Sequence, residues 1–147
     1  MFLLIFIRLS AMKPKTEQQI DFNILPPDSS GEKLLFRVYD KGSPIGYARL
    51  KKISSRKKNA VNVIDMFDPN GFNVYELKMI EISQNYRHQG VGTSLLQEII
   101  RYCKKSNIKR LTGEIKGDAR TLRHWYRNNG FTISHDDRID LLPAICA

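Results

Sequence analysis

Residues 86–96 read YRHQGVGTSLL. Gly90 and Gly92 stand two apart; Arg87, His88 and Gln89 precede them, and an apolar run follows. A helix N-terminus presents unpaired N–H groups and a partial positive charge. A turn without Cβ atoms lets an anion approach that backbone closely. The stretch therefore outlines a phosphate or pyrophosphate cradle. It is not a P-loop, because no Gly-Lys-Ser/Thr follows, and it is not the dinucleotide fingerprint, whose third glycine would fall at Leu95. An ordinary strand-to-helix turn would use the same residues, and this stretch alone does not choose between the two.

The elements around the turn follow from periodicity. IDFNILP (20–26), KLLFRVYD (33–40) and IGYARLKK (45–52) read as strands, the last two as a hairpin. PPDSSGE is turn chemistry, SSRKKN a basic loop, AVNVIDM a further strand candidate and DPNG (68–71) a strong turn. FNVYELKMIEIS (72–83) is the longest strand candidate. The period then changes to 3.6: Leu95, Leu96, Ile99, Ile100 and Cys103 share one face of a helix from about Val91 to Lys105. KRLTGEIK (109–116) returns to a strand. Asp118 is placed to cap a second helix with Leu122, Trp125 and Tyr126 inside, and Gly130 to end it in the left-handed conformation. FTISHD and RIDLLPAI close the sheet. The order predicts one mixed α/β (α+β) domain around a central sheet, with residues 1–19 as an N-terminal extension and 20–147 as the domain.

A chain of 147 residues has single-domain length. Its 41% hydrophobic and 27% charged content fits a folded protein and excludes a disordered one. A net charge of +9 favours anionic partners: a phosphorylated cofactor, an acidic protein or a nucleic acid. Cys103 and Cys146 form no CxxC or Cys/His cluster, so no metal site is expected and a reducing, cytoplasmic compartment suits them. The apolar start MFLLIFI is shorter than the roughly 20 residues that a spanning helix needs, so no membrane role is expected. His88, His124 and His135 have no triad or metal spacing.

A second pattern lies one strand and one helix beyond the glycine turn. LRHWYRNNGF (122–131) carries Tyr126 followed four residues later by Gly130-Phe131. With Arg87-x-x-Gly90-x-Gly92, in this order and at this spacing, the chain from about residue 20 to 143 resembles the GNAT superfamily of acyl-CoA-dependent N-acetyltransferases. The resemblance implies a twisted, mostly antiparallel sheet splayed open between two parallel strands. It implies acetyl-CoA as cosubstrate and no metal. The pantetheine would lie in the splay along Ile82 and Ser83. The pyrophosphate would sit on the turn formed by Arg87, His88, Gln89, Gly90, Val91, Gly92 and Thr93.

Acetyl transfer needs a neutral amine, a stabilised oxyanion and a proton for the leaving thiolate. Glu76 and Glu81 are the carboxylates of the long strand. Strict alternation puts Glu76 on the face of Ile80 and Ile82, and Glu81 on the other. The resemblance favours Glu76 as the base, because several members carry a glutamate six residues before the position of Ile82. It makes Tyr126 the general acid. One of Arg120, Arg123 and Arg127 is a candidate for the CoA 3′-phosphate.

Two departures from the family stand out. Ala119 occupies a position where many members have asparagine. PPDSSGEK replaces the one or two helices that usually follow the first strand and wall the acceptor site. The acceptor groove is therefore expected to be open, which suits a protein or peptide amine. The alternatives are a small amine, aminoacyl-tRNA, and a non-catalytic acyl-CoA- or nucleic-acid-binding module. A monomer and a homodimer are equally compatible with the sequence.

Overall fold

The computed structural model describes residues 21–53 and 73–145. The strand candidate AVNVIDM, the DPNG turn, Cys146 and the N-terminal extension lie outside the described residues.

Eight strands form one sheet: β1 (Phe22–Ile24), β2 (Asp28–Ser30), β3 (Lys33–Asp40), β4 (Ser43–Lys52), β5 (Val74–Ile82), β6 (Arg110–Glu114), β7 (Thr132–Ile133) and β8 (Arg138–Leu141). Their order is β1-β3-β4-β5-β6-β8-β7, with β2 also paired to β3. Every pairing is antiparallel except β5 with β6. Two α-helices, α1 (Val91–Lys105) and α2 (Ala119–Asn128), and two short 3-10 helices, Gln84–Tyr86 and Pro143–Ile145, complete the described fold. The expected closing strand RIDLLPAI thus ends at Leu141, where Pro143, lacking an N–H, cannot extend the ladder. Among the described residues no helix lies between β1 and β2, as the PPDSSGEK stretch led us to expect. That stretch is not purely a turn, because Asp28–Ser30 pairs with Lys33–Leu35 as a short hairpin arm.

The core lies between the sheet and α1. Leu95, Leu96, Ile99, Ile100 and Cys103 are all buried, as the 3.6 period requires. They meet Leu34, Phe36 and Val38 of β3, Ala48 and Leu50 of β4, and Leu77 and Ile82 of β5. Tyr102 sets its ring edge-on to Phe36 at 5.5 Å. Gly46 is required by close approach: a Cβ there would come within 2.9 Å of the Glu81 carbonyl oxygen. Asp118 stands at the N-cap of α2, but its carboxylate accepts from the Thr121 hydroxyl at 2.8 Å rather than from the helix backbone. The nearer hydroxyl donor takes the acceptor that the orphan N–H groups would otherwise use. Gly130 ends α2 with φ 93°, as expected.

One expectation about β5 fails. The register runs Leu50↔Leu77 and then Arg49↔Met79, so Lys78 is an extra residue, a β-bulge. The bulge reverses the alternation. Leu77, Ile80 and Ile82 all face α1, while Glu76, Met79 and Glu81 share the opposite face with Lys51, Arg49 and Tyr47. Glu76 and Glu81 are thus on one face, not two.

Candidate active site

The bulge coincides with the point where the sheet divides. β5 pairs with β6 only over Val74–Leu77, against Arg110–Gly113. Beyond Leu77 the described residues offer β5 no partner on that side. Ser83 N–H bonds to the Ile45 carbonyl at 2.7 Å. In an antiparallel ladder, residues alternate between bonding their neighbour and facing away from it. Ser83, Glu81 and Met79 therefore bond toward β4, and the backbone groups of Ile80 and Ile82 face the gap. A bulge that re-aims one strand, beside a parallel pair that stops after four residues, leaves a cleft with hydrogen-bonding walls.

The glycine turn closes one end of this cleft. A short 3-10 helix (Gln84–Tyr86) leads into it. His88 (φ 59°) and Gly90 (φ 84°) both occupy the left-handed region, and Gly90 is the N-cap of α1. No side chain caps the helix, and its first intrahelical bond runs from Ser94 N–H to the Gly90 carbonyl at 3.0 Å. The N–H groups of Val91, Gly92 and Thr93 are thus left to bind something else. Gly92 is not demanded by packing. A Cβ there would meet the Ile82 side chain at 3.6 Å and the Trp125 ring at 3.7 Å, both ordinary contacts.

The remaining turn residues hold its shape. Arg87 Nε donates to the Ile82 carbonyl at 2.8 Å, tying the turn to the end of β5. Gln89 donates to the Asn85 carbonyl at 3.0 Å. The Tyr86 hydroxyl donates to Asp40 Oδ2 at 2.9 Å, which anchors the loop to β3. This link was invisible in the sequence, because 46 residues separate the partners. Trp125 Nε1 donates to Thr93 Oγ1 at 2.9 Å and fixes α2 against the start of α1.

Tyr126 is 5% exposed and packs against Trp125 and Phe131, with ring centroids at 4.8 and 5.3 Å. Among the described residues its hydroxyl has no hydrogen-bond partner. Burial pushes its pKa up to about 12. Glu76 is paired with Lys78 at 3.2 Å. Glu81 accepts from the Tyr47 hydroxyl at 3.1 Å. Thr112 stands beside Glu76 across the β5–β6 pair, and its hydroxyl oxygen is buried without a partner among the described residues. Arg123 is engaged by Asp137 at 2.6 Å and by the Ser134 carbonyl at 3.0 Å, whereas Arg120 and Arg127 are exposed. No group of three or more His, Cys, Asp or Glu among the described residues is arranged to hold a metal ion. None of the described helices is long and apolar enough to cross a membrane.

Solved structures share this fold. A ribosomal-protein-S18-alanine N-acetyltransferase from Escherichia coli superposes with a TM-score of 0.59 at 16% identity, over 81% of this chain and 74% of that one. A GNAT family acetyltransferase from Elizabethkingia anophelis with acetyl-CoA bound gives 0.58 at 18% identity, over 78% of both chains. The PaiA N-acetyltransferase of Thermoplasma acidophilum, in complex with coenzyme A, gives 0.57 at 20% identity over 76% of this chain, which spans 61% of the length of that protein. No curated protein matches in sequence. Residues 5–131 match the family model for the acetyltransferase (GNAT) family. With the divided sheet and the uncapped glycine turn at its mouth, that match over most of the chain shows that the protein belongs to the GNAT acetyltransferase family.

Proposed function

We propose that the protein transfers the acetyl group of acetyl-CoA to a primary amine of a protein or peptide, in a cytoplasmic setting. One observation carries this reading: the β5–β6 cleft ends on a turn whose N–H groups at Val91, Gly92 and Thr93 have no side-chain cap. These groups fit a pyrophosphate, and the gap-facing backbone of Ile80 and Ile82 fits the amides of a pantetheine arm. Two solved structures of this fold contain coenzyme A or acetyl-CoA.

Bound acetyl-CoA supplies an activated acyl thioester; the chain supplies position and protons. Arg87 keeps the turn against β5. His88, Gln89 and Gly90 shape the approach to the helix start. The Ile82 N–H, facing the gap, is the donor for the oxygen that gains charge. Glu76 takes the proton of the amine, and its Lys78 partner, at 3.2 Å, holds the carboxylate in place on the strand. Tyr126, protonated at every working pH, serves the leaving thiolate. A protein or peptide acceptor is favoured because, among the described residues, no helix covers the sheet face opposite α1.

Two readouts test this. Saturating acetyl-CoA should raise the melting temperature, since a ligand of the native state stabilises it. A panel of peptides with acetyl-CoA should release free thiol and gain one acetyl group by mass spectrometry. The absence of a thermal shift would end the proposal.

A further inference from the structure

The sheet face opposite α1 has an unusual lining. A cavity of about 630 Å³ crosses it from β2 to the residues just after β6. Lys33, Arg37, Arg49, Lys51, Lys78 and Lys116 line it, and Asp28 is its one carboxylate. A second cavity of about 600 Å³ shares Leu35, Arg37 and Arg49 with it and continues to Glu81 and Ser83. Together they form one trough whose floor includes the apolar Leu35 and Met79.

The trough holds more positive charge than the fold neutralises. Arg37 pairs with Asp28 at 3.2 Å, and Lys78 with Glu76. Among the described residues, Lys33, Arg49, Lys51 and Lys116 have no carboxylate in ion-pair range. Lys33 and Lys51 stand directly opposite each other on β3 and β4. Like charges directly opposed across a pair of strands are destabilising. A bound anion between them would relieve the repulsion.

Resting on the transferase reading above, we propose that the trough binds the acceptor and that the acceptor is an acidic peptide. Its amine lies at the β5–β6 gap, where Glu76 and Glu81 face the same side as the trough. Its acidic side chains lie over β4 and β3, on Arg49, Lys51, Lys33 and Arg37. Strands are about 4.8 Å apart and an extended chain rises about 3.3 Å per residue. The contacts over β4 and β3 therefore fall on roughly the second to fourth residues after the amine. Lys78 and Lys116, on either side of the gap, disfavour an ammonium ion and so favour the neutral, attacking form of the amine. The same two cations repel a lysine-rich acceptor. A nucleic acid fits less well, because Glu76 and Glu81 stand where its phosphates would have to pass.

The test uses the full chain and three peptides with free N-terminal amines and a C-terminal fluorophore. One has Asp or Glu at positions two to four, one has Ser or Gln there, and one has Lys. Fluorescence anisotropy should show the acidic peptide binding at least tenfold tighter than the neutral one, with affinity falling as salt rises. Arg49→Gln and Lys33→Glu should each weaken it several-fold. Lys33→Glu, which ends the clash with Lys51, should leave the melting temperature unchanged or higher, and both variants should keep the acetyl-CoA thermal shift. Equal binding of the three peptides, wild-type affinity in the variants, or preferential binding of an RNA oligonucleotide would overturn the proposal. A normal acetyl-CoA shift without acidic preference sinks the trough alone. Acidic binding without an acetyl-CoA shift sinks the transferase reading instead.

Discussion

At the scale of single residues, the proposed chemistry rests on Tyr126 and the two strand glutamates. A phenol held at about 12 stays protonated across the working range, so Tyr126 contributes no alkaline limb to the rate below about pH 11. The same shift makes full proton transfer to a free thiolate uphill by about 5 kcal/mol, taking a thiol near 8.5. In the proposed mechanism its proton moves only as the carbon–sulfur bond breaks. Tyr126→Phe should lower turnover about 10²-fold while keeping the ring packing on Trp125 and Phe131, so the urea midpoint stays near wild type. Normal turnover would make it a core aromatic. Glu76→Gln should slow the reaction most at low pH, where the amine is protonated, and leave acetyl-CoA affinity unchanged. With both glutamates on one face, Glu81→Gln is the necessary comparison. If that variant is the inactive one in steady-state assays, the base lies on the far side of the bulge.

At the scale of elements, the bulge and the glycine turn do separate jobs. Lys78 is the extra residue that re-aims β5 as pairing with β6 stops. Removing it would restore simple alternation, with Leu77, Ile80 and Ile82 still facing the core. A chain lacking Lys78 should therefore fold with an undiminished melting temperature. It should also lose most of the acetyl-CoA shift, because a regular β5 can continue pairing with β6 and close the cleft. Retention of the full shift would show that the cleft does not depend on the bulge. At the turn, Gly92→Ala meets only ordinary contacts and should fold at least as well as wild type, whereas Gly92→Asp adds a negative charge at the helix start proposed to hold the pyrophosphate. Differential scanning fluorimetry should show the cofactor shift abolished in Gly92→Asp and the apo transition retained in both.

At the scale of the whole molecule, two buried protonated groups set an alkaline limit. Burial raises Cys103 from 9.0 to about 12 and Tyr126 from 10.0 to about 12. Raised folded-state values mean that the native state holds its protons more tightly than the unfolded chain. The resulting stability is complete below about pH 9. It declines as pH rises, first through Cys103 and above about 10 through both groups, at about 1.4 kcal/mol per pH unit for each. Urea midpoints measured from pH 7 to 11 should show this fall, and Cys103→Ala should delay its onset to about pH 10. An unchanged onset in that variant would assign the loss to other groups.

Much of this molecule was legible in the sequence, because the signals were local. The span of α1, the β3–β4 hairpin, the left-handed stop at Gly130 and the uncapped turn before Val91 follow from periodicity and from glycine placement within a few residues. The family followed from two such local patterns at a fixed spacing. What the tertiary structure decided depends on pairing between distant segments. The Lys78 bulge is defined only by its register against Arg49 and Leu50, although the adjacent apolar pair Met79-Ile80 broke the alternation and was the available signal. The Tyr86–Asp40 anchor exists because the sheet brings together partners 46 residues apart. The cationic trough likewise required the sheet: its lysines and arginines come from β3, β4, β5 and the segment after β6, and only strand order and register set them side by side.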